Sequence, residues 1–116
     1  MYIDGFVVPV PTGRKADYIA MAKKAWPLFK EFGATTMVEA WGDDVPKGKV
    51  TDFYGAVKAE DGETVVFSWI TWPDKATRDA GQKRMMEDPR MKDMMDMPFD
   101  GKRMVMGGFV PVVDVH

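Results

Sequence analysis

Two hydrophobic periods divide this chain. Val65-Val66-Phe67-Ser68-Trp69-Ile70-Thr71-Trp72 is apolar on both of its alternating faces, which predicts a strand, and Pro73-Asp74 stops it and opens a helix. A strand that is greasy on both sides must be covered on both sides. Residues 2–10 predict a first strand, with Phe6, Val8 and Val10 on one face and Ile3 and Val7 on the other, ended by Pro9 and Pro11. Over residues 15–32 the period changes. Tyr18, Met21, Ala22, Ala25, Phe29 and Phe32 recur at helical spacing and form one buried face. Pro27 interrupts that pattern and predicts a kink near Trp26, and Gly33 supplies the stop.

A second strand follows over residues 35–41, then a turn-rich loop over 42–49. Residues 53–59 and 64–72 read as strands flanking Asp61-Gly62, a hairpin signal. Asp74 caps a helix that runs to about Glu87, and Asp88-Pro89 restarts a shorter helix carrying Met91, Met94 and Met95. Asp100-Gly101 turns the chain into a last strand over 103–113. The order β-α-β-β-β-α-α-β predicts one α+β domain over residues 1–116, a ferredoxin-like sandwich with an antiparallel sheet. It carries one extra strand or a long, broken second strand. Helices cover one face of that sheet. The other face is apolar and has no cover within the chain, so two copies packed face to face are expected.

Composition narrows the chemistry. The 116 residues are 46% hydrophobic and 29% charged, as in an ordinary globular protein, and 16 basic against 18 acidic side chains leave a net charge of −2. There is no basic stripe of the kind nucleic acid requires. No apolar run approaches the roughly 18 residues of a membrane helix, and Met1-Tyr2-Ile3-Asp4-Gly5 lacks the features of a signal peptide, so the expected location is cytoplasmic. The chain has no cysteine, and its single histidine is His116, so thiol chemistry is excluded and neither imidazole catalysis nor a metal site is expected. No bound cofactor is expected.

Longer segments carry a resemblance. Asp4-Gly5-Phe6-Val7-Val8, Pro27-Leu28-Phe29-Lys30-Glu31-Phe32-Gly33-Ala34, Trp41-Gly42-Asp43-Asp44-Val45-Pro46 and Lys49-Val50-Thr51-Asp52-Phe53 occur in order. Phe67-Ser68-Trp69, Met85-Met86-Glu87-Asp88-Pro89-Arg90-Met91 and Met97-Pro98-Phe99-Asp100-Gly101-Lys102-Arg103-Met104 follow. Together they resemble the small bacterial YbaA-like family, a domain of unknown function, over nearly the whole chain. The resemblance implies a dimeric α+β barrel and implies no activity.

Several side chains are candidates for function, each with a plainer structural role beside it. Trp41 and Trp69 can wall a pocket for a flat ligand or fill the core and the dimer seam. Eight of the eleven methionines lie between Met85 and Met106, a soft surface suited to a pocket roof, with Met94 among them, or simply to core filling. Glu39 shares a strand face with Met37 and Trp41, so covering that face would raise its pKa and suit it to proton transfer. Asp4, on the Phe6-Val8 face, is expected to pair with Arg103 or Arg90, as a buried ion pair or a ligand anchor. Arg90 opposes the dipole of its own helix and so answers to a specific partner, whereas Arg78 with Asp79 and Lys75 reads as a solvated helix face. The favoured function is a homodimer that binds a small apolar or anionic molecule in a cleft lined by methionine and tryptophan, with neither nucleic acid nor membrane as partner. The alternatives are a cofactor-free oxygenase or isomerase, with Glu39 or Asp4 as proton acceptor, and a non-catalytic dimerisation or regulatory module.

Overall fold

The structure, a computed structural model, describes residues 1–92 and 97–116. Four strands form one antiparallel sheet: β1 (Tyr2–Pro11), β2 (Thr36–Trp41), β3 (Glu63–Trp72) and β4 (Val105–Phe109), in the spatial order β2-β3-β1-β4. The helices are α1 (Lys15–Glu31), α2 (Phe53–Ala56), α3 (Lys75–Glu87) and α4 (Pro89–Lys92). This is the ferredoxin-like α+β arrangement expected from the pattern, with β1 and β3 central.

Register decides which residues meet. Phe6 lies opposite Ser68, Asp4 opposite Ile70 and Val8 opposite Val66, while Glu39 lies opposite Ser68 from the other side of β3. Even-numbered residues of β1 and β3 therefore share the helix-covered face with Met37, Glu39 and Trp41 of β2. One core cluster gathers Tyr2, Ala34, Ile70 and Trp72, and a second gathers Val8, Val10, Tyr18 and Val66. Leu28, Phe32 and Met85 join α1 to α3. Proline is tolerated inside β1 because β4 pairs with it only from Ile3 to Val7. Pro9 and Pro11 thus fall where the strand has a neighbour on one side only.

Three segments differ from the sequence expectation. The strand expected over 53–59 is instead helix α2, started by Asp52, whose carboxylate accepts from the Gly55 N–H at 2.6 Å. A local cap outweighs strand propensity in so short a stretch. Asp61-Gly62 consequently turns the chain into β3 and joins no hairpin. The last strand is shorter than 103–113, because Gly101–Arg103 forms a 3-10 turn capped by Asp100 and pairing ends at Phe109. Asp74 caps α3 as expected, accepting from the Thr77 N–H at 2.7 Å. Gly33, at φ 110°, ends α1 in a conformation that favours glycine.

The second face of the sheet carries Phe67, Val105 and Phe109, which are 46%, 47% and 60% exposed. Phe109 lies across the glycines of the two strands, 3.4 Å from where a Cβ would stand on either Gly5 or Gly107. A groove of about 580 Å³ runs along this face between Phe67, Trp69 and Phe109. Helix α2 reaches only its margin, where Phe53 meets Phe67 edge to face at 6.1 Å.

Candidate functional site

On the covered face, β2 is an edge strand and α1 does not close against it. An outer cleft of about 640 Å³ opens there, between Ile19 and Trp26 of α1 and Thr36, Met37 and Trp41 of β2, with Lys15 and Lys23 on its border. The Lys15 ammonium stands 5.5 Å above the Trp41 ring, a cation–π contact. Behind it lies an inner cavity of about 190 Å³ beneath α1, lined by Met21, Met37, Met91, Met97, Phe99 and Met104 among others. Tyr18, Ala22, Met37 and Glu39 border both spaces.

Tyr18 and Glu39 are the polar side chains common to the two spaces among the described residues. Helical spacing turns Tyr18 onto the buried side of α1, and strand alternation turns Glu39 up from β2 beneath it. The phenol donates to Glu39 Oε2 at 2.6 Å. Phe99 and Trp41 flank the Tyr18 ring, with centroids at 5.8 and 6.3 Å. Glu39 lies on an open sheet edge and is an exposed residue, with its carboxylate partly buried where it meets Tyr18. Loss of water raises its pKa above the ordinary carboxylate value, while hydrogen bonds from Tyr18 and Ser68 oppose the shift in part. The Tyr18 hydroxyl is driven far up, first by burial and then by its bond to Glu39 and that group's charge. It stays protonated and acts as a donor. Chemically, the pair offers a carboxylate of enhanced basicity, held by the Tyr18 donor at the border of two largely apolar spaces.

The remaining sequence candidates do not assemble here. Asp4 is on the same face, on central strand β1 in the row beside that of Glu39, 1% exposed and fully partnered. It accepts from Trp72 Nε1 at 3.0 Å, Gln82 Nε2 at 3.1 Å and Arg78, whose Nη2 lies 2.8 Å away. The expected partners, Arg103 and Arg90, are replaced by Arg78, because α3 packs over Trp72 and brings Arg78 inward. Arg78 is thus no solvated helix-face residue: its side chain is 16% exposed, and it covers the Tyr2 ring at 5.2 Å. Arg103 precedes the last strand and clasps Glu63 through two bonds of 2.7 Å, drawing that carboxyl below its usual range. Arg90 binds Glu31 and Asp88, each at 2.8 Å, so its helix-dipole conflict is answered within the chain. Trp69 belongs to the opposite face of the sheet. Met94 lies outside the described residues. Tyr18 was missed as a site residue, since its helical spacing marks it only as core. Among the described residues, no group of three or more His, Asp or Glu side chains is placed to hold a metal ion.

Comparison with known proteins places this architecture in a family. Residues 1–101 match a family described as a protein of unknown function, DUF1428. The uncharacterized protein YbaA of Escherichia coli K12 is 61% identical over 114 residues, covering 97% of each chain, and the YbaA of Shigella flexneri matches to the same extent. Among solved structures, an uncharacterized NIPSNAP domain protein from Burkholderia xenovorans superposes with a TM-score of 0.60 at 12% identity, over 100% of this chain and 99% of that one. A dimeric ferredoxin-like protein from an uncultured marine organism gives the same TM-score and coverage at 8% identity. At such low identity these two structures speak to fold alone. The family match over residues 1–101 and the close relatives over almost the whole chain agree: this protein belongs to the DUF1428 family.

Proposed function

We propose that this protein is a cytoplasmic homodimer that binds a small molecule in the cleft between α1 and the sheet. The observation that carries the reading is the Glu39–Tyr18 pair at 2.6 Å, shared by an outer cleft and an inner, methionine-lined cavity. A hydrogen-bonded carboxylate beside apolar walls orients a ligand, and the walls supply its affinity. The dimer draws support from the exposed Phe67, Val105 and Phe109 on the other face. It is also consistent with the similarly folded marine protein, which is described as dimeric.

Native mass spectrometry of freshly purified protein tests both parts. The expected result is a species of twice the 13.1 kDa chain mass carrying a retained small molecule. A bare monomer overturns the reading. A second reading, a cofactor-free isomerase- or oxygenase-type enzyme, is favoured by the raised pKa of Glu39, which strengthens it as a proton acceptor near neutrality. In that case Glu39→Gln abolishes turnover while the fold survives. Ligand retention without turnover leaves the binding role.

A further inference from the structure

Among the described residues two features lack a partner, and they match each other. The first is the edge strand β2, which pairs with β3 alone. Just past its end the Gly42 N–H donates to the Val65 carbonyl at 2.9 Å. Alternation carries that phase back along the strand. Even-numbered residues of β2 thus turn their backbone groups to β3, and Met37, Glu39 and Trp41 turn theirs to the open edge. Among the described residues no backbone bond from another element meets that edge. The strand reads Thr36-Met37-Val38-Glu39-Ala40-Trp41, with neither the proline nor the lysine that blunts a free edge.

The second is the segment that follows β4. Its hydrophobic pattern predicts strand on to residue 113, yet pairing ends at Phe109. Val110, Val112, Val113 and Val115 are 68%, 93%, 76% and 84% exposed. Such a run of β-branched residues is strand-forming sequence without a sheet. Laid out as a strand, Val110, Val112 and Asp114 offer one complete edge of N–H and C=O groups. Pro111 falls on the opposite edge, where it hinders any further strand from adding.

The tail is poorly placed to serve its own β2. The two edges lie three inter-strand spacings apart, each about 4.8 Å, so crossing the sheet uses about 14 Å. Six extended residues span at most about 20 Å. A second copy removes that detour, and interface size points the same way. A standard interface uses about 20–30 residues a side, whereas the groove on the second face is lined by ten. The tail and β2 add six each, which reaches that range. The tail leaves from β4, which already borders the second face, so one association buries both. Charge agrees: Lys15 and Lys23 border the outer cleft beside β2, and Asp114 is the acid of the tail.

We infer that residues 110–115 of one copy add as a strand to the free edge of β2 in a second copy, reciprocally, so that each outer cleft is walled in part by its partner's chain. This rests on the homodimer proposed above and deepens it, since the cleft is complete only in the pair.

Amide exchange followed by NMR on the full-length protein tests this. A bare edge leaves the Met37 and Glu39 N–H groups open to solvent, whereas an added strand protects them as β3 protects those of Val38 and Ala40. The expected result is slow exchange at all four. Val112→Pro removes one N–H and bars pairing, yet is harmless in a free tail. In that variant Met37 and Glu39 should exchange at least about tenfold faster, with Val38 and Ala40 unchanged as evidence of an intact fold. In a dimer mixed from ¹³C,¹⁵N-labelled and unlabelled chains, nuclear Overhauser contacts should join labelled β2 amides to unlabelled tail valines.

Free exchange at Met37 and Glu39 in a dimer overturns the inference and leaves the dimer reading standing. Protection that survives Val112→Pro overturns it too, because something other than the tail then covers β2. So do tail contacts confined to one chain, which make the cover internal. A monomer with an open edge sinks the inference and the homodimer together.

Discussion

Glu39 and Asp4 are both carboxylates turned toward the helices, and their neighbours give them opposite roles. Asp4 is surrounded by donors from Trp72, Arg78 and Gln82 and serves as a structural pin between β1 and α3. Glu39 has hydroxyl donors and apolar walls, so burial raises its pKa. In the unfolded chain Glu39 titrates in the ordinary range, and in the folded chain it titrates higher. Between those values the folded state holds more protons. The stability linked to this group is therefore fully present below the ordinary carboxylate pKa and is lost as pH rises through the folded one. Glu39→Gln removes that loss, so its melting temperature should exceed the parent's near pH 8, with the gap closing toward about pH 4. A gap independent of pH would mean that burial does not govern Glu39. For Asp4→Asn the expectation is destabilisation by about 3 kcal/mol, because Arg78 loses its buried countercharge and keeps only the more exposed Asp79. The shift in urea midpoint measures it, and Asp79→Asn, on the exposed side of the same arginine, should barely move that midpoint.

At the level of elements, caps and close approaches set the geometry of the cleft. Asp52, Asp74 and Asp100 each start a helical segment by accepting a backbone N–H, and the first of them converts an expected strand into helix α2. Helix α3 lies close on the sheet because Gly81 has no side chain. A Cβ there would stand 2.7 Å from the Trp72 ring and 2.8 Å from the Phe32 carbonyl oxygen. Gly81→Ala gains up to about 1 kcal/mol in helix propensity, but overpacking costs about 1–3 kcal/mol. Net destabilisation is expected, with a lower melting temperature as the measure. A more stable variant would show that α3 can move away freely. Such movement would also disturb the contact between Asp4 and Arg78, which joins the same two elements.

Among the described residues there is one sheet, with helices over one face and an apolar second face that only α2 meets, at its margin. Phe109 lies over the central glycines of that face and is its most prominent aromatic anchor. If two copies pack there, Phe109→Asp places a charge at the centre of the seam and should weaken the dimer at least about tenfold, as loss of a central aromatic contact implies. Light scattering coupled to gel filtration, over a range of concentrations, measures the effect. An unchanged dimer would place the seam elsewhere.

Hydrophobic period determined the helix-covered sandwich, the faces of β1 and β3 and the placement of Glu39 beside Met37 and Trp41, and residue type alone marked the cap at Asp74. These are local consequences, since alternation and helical spacing follow from backbone geometry. Tertiary structure decided what such spacing cannot encode. It chose Arg78 over Arg90 and Arg103 as the partner of Asp4, because α3 crosses above Trp72 and the other two arginines are held by nearer acids. It also set Tyr18 over Glu39, residues 21 positions apart in the chain. The strand face singles out Glu39 as a candidate, whereas helical spacing marks Tyr18 only as core. Their meeting depends on how α1 lies across the edge of the sheet, which is settled by packing of the whole core.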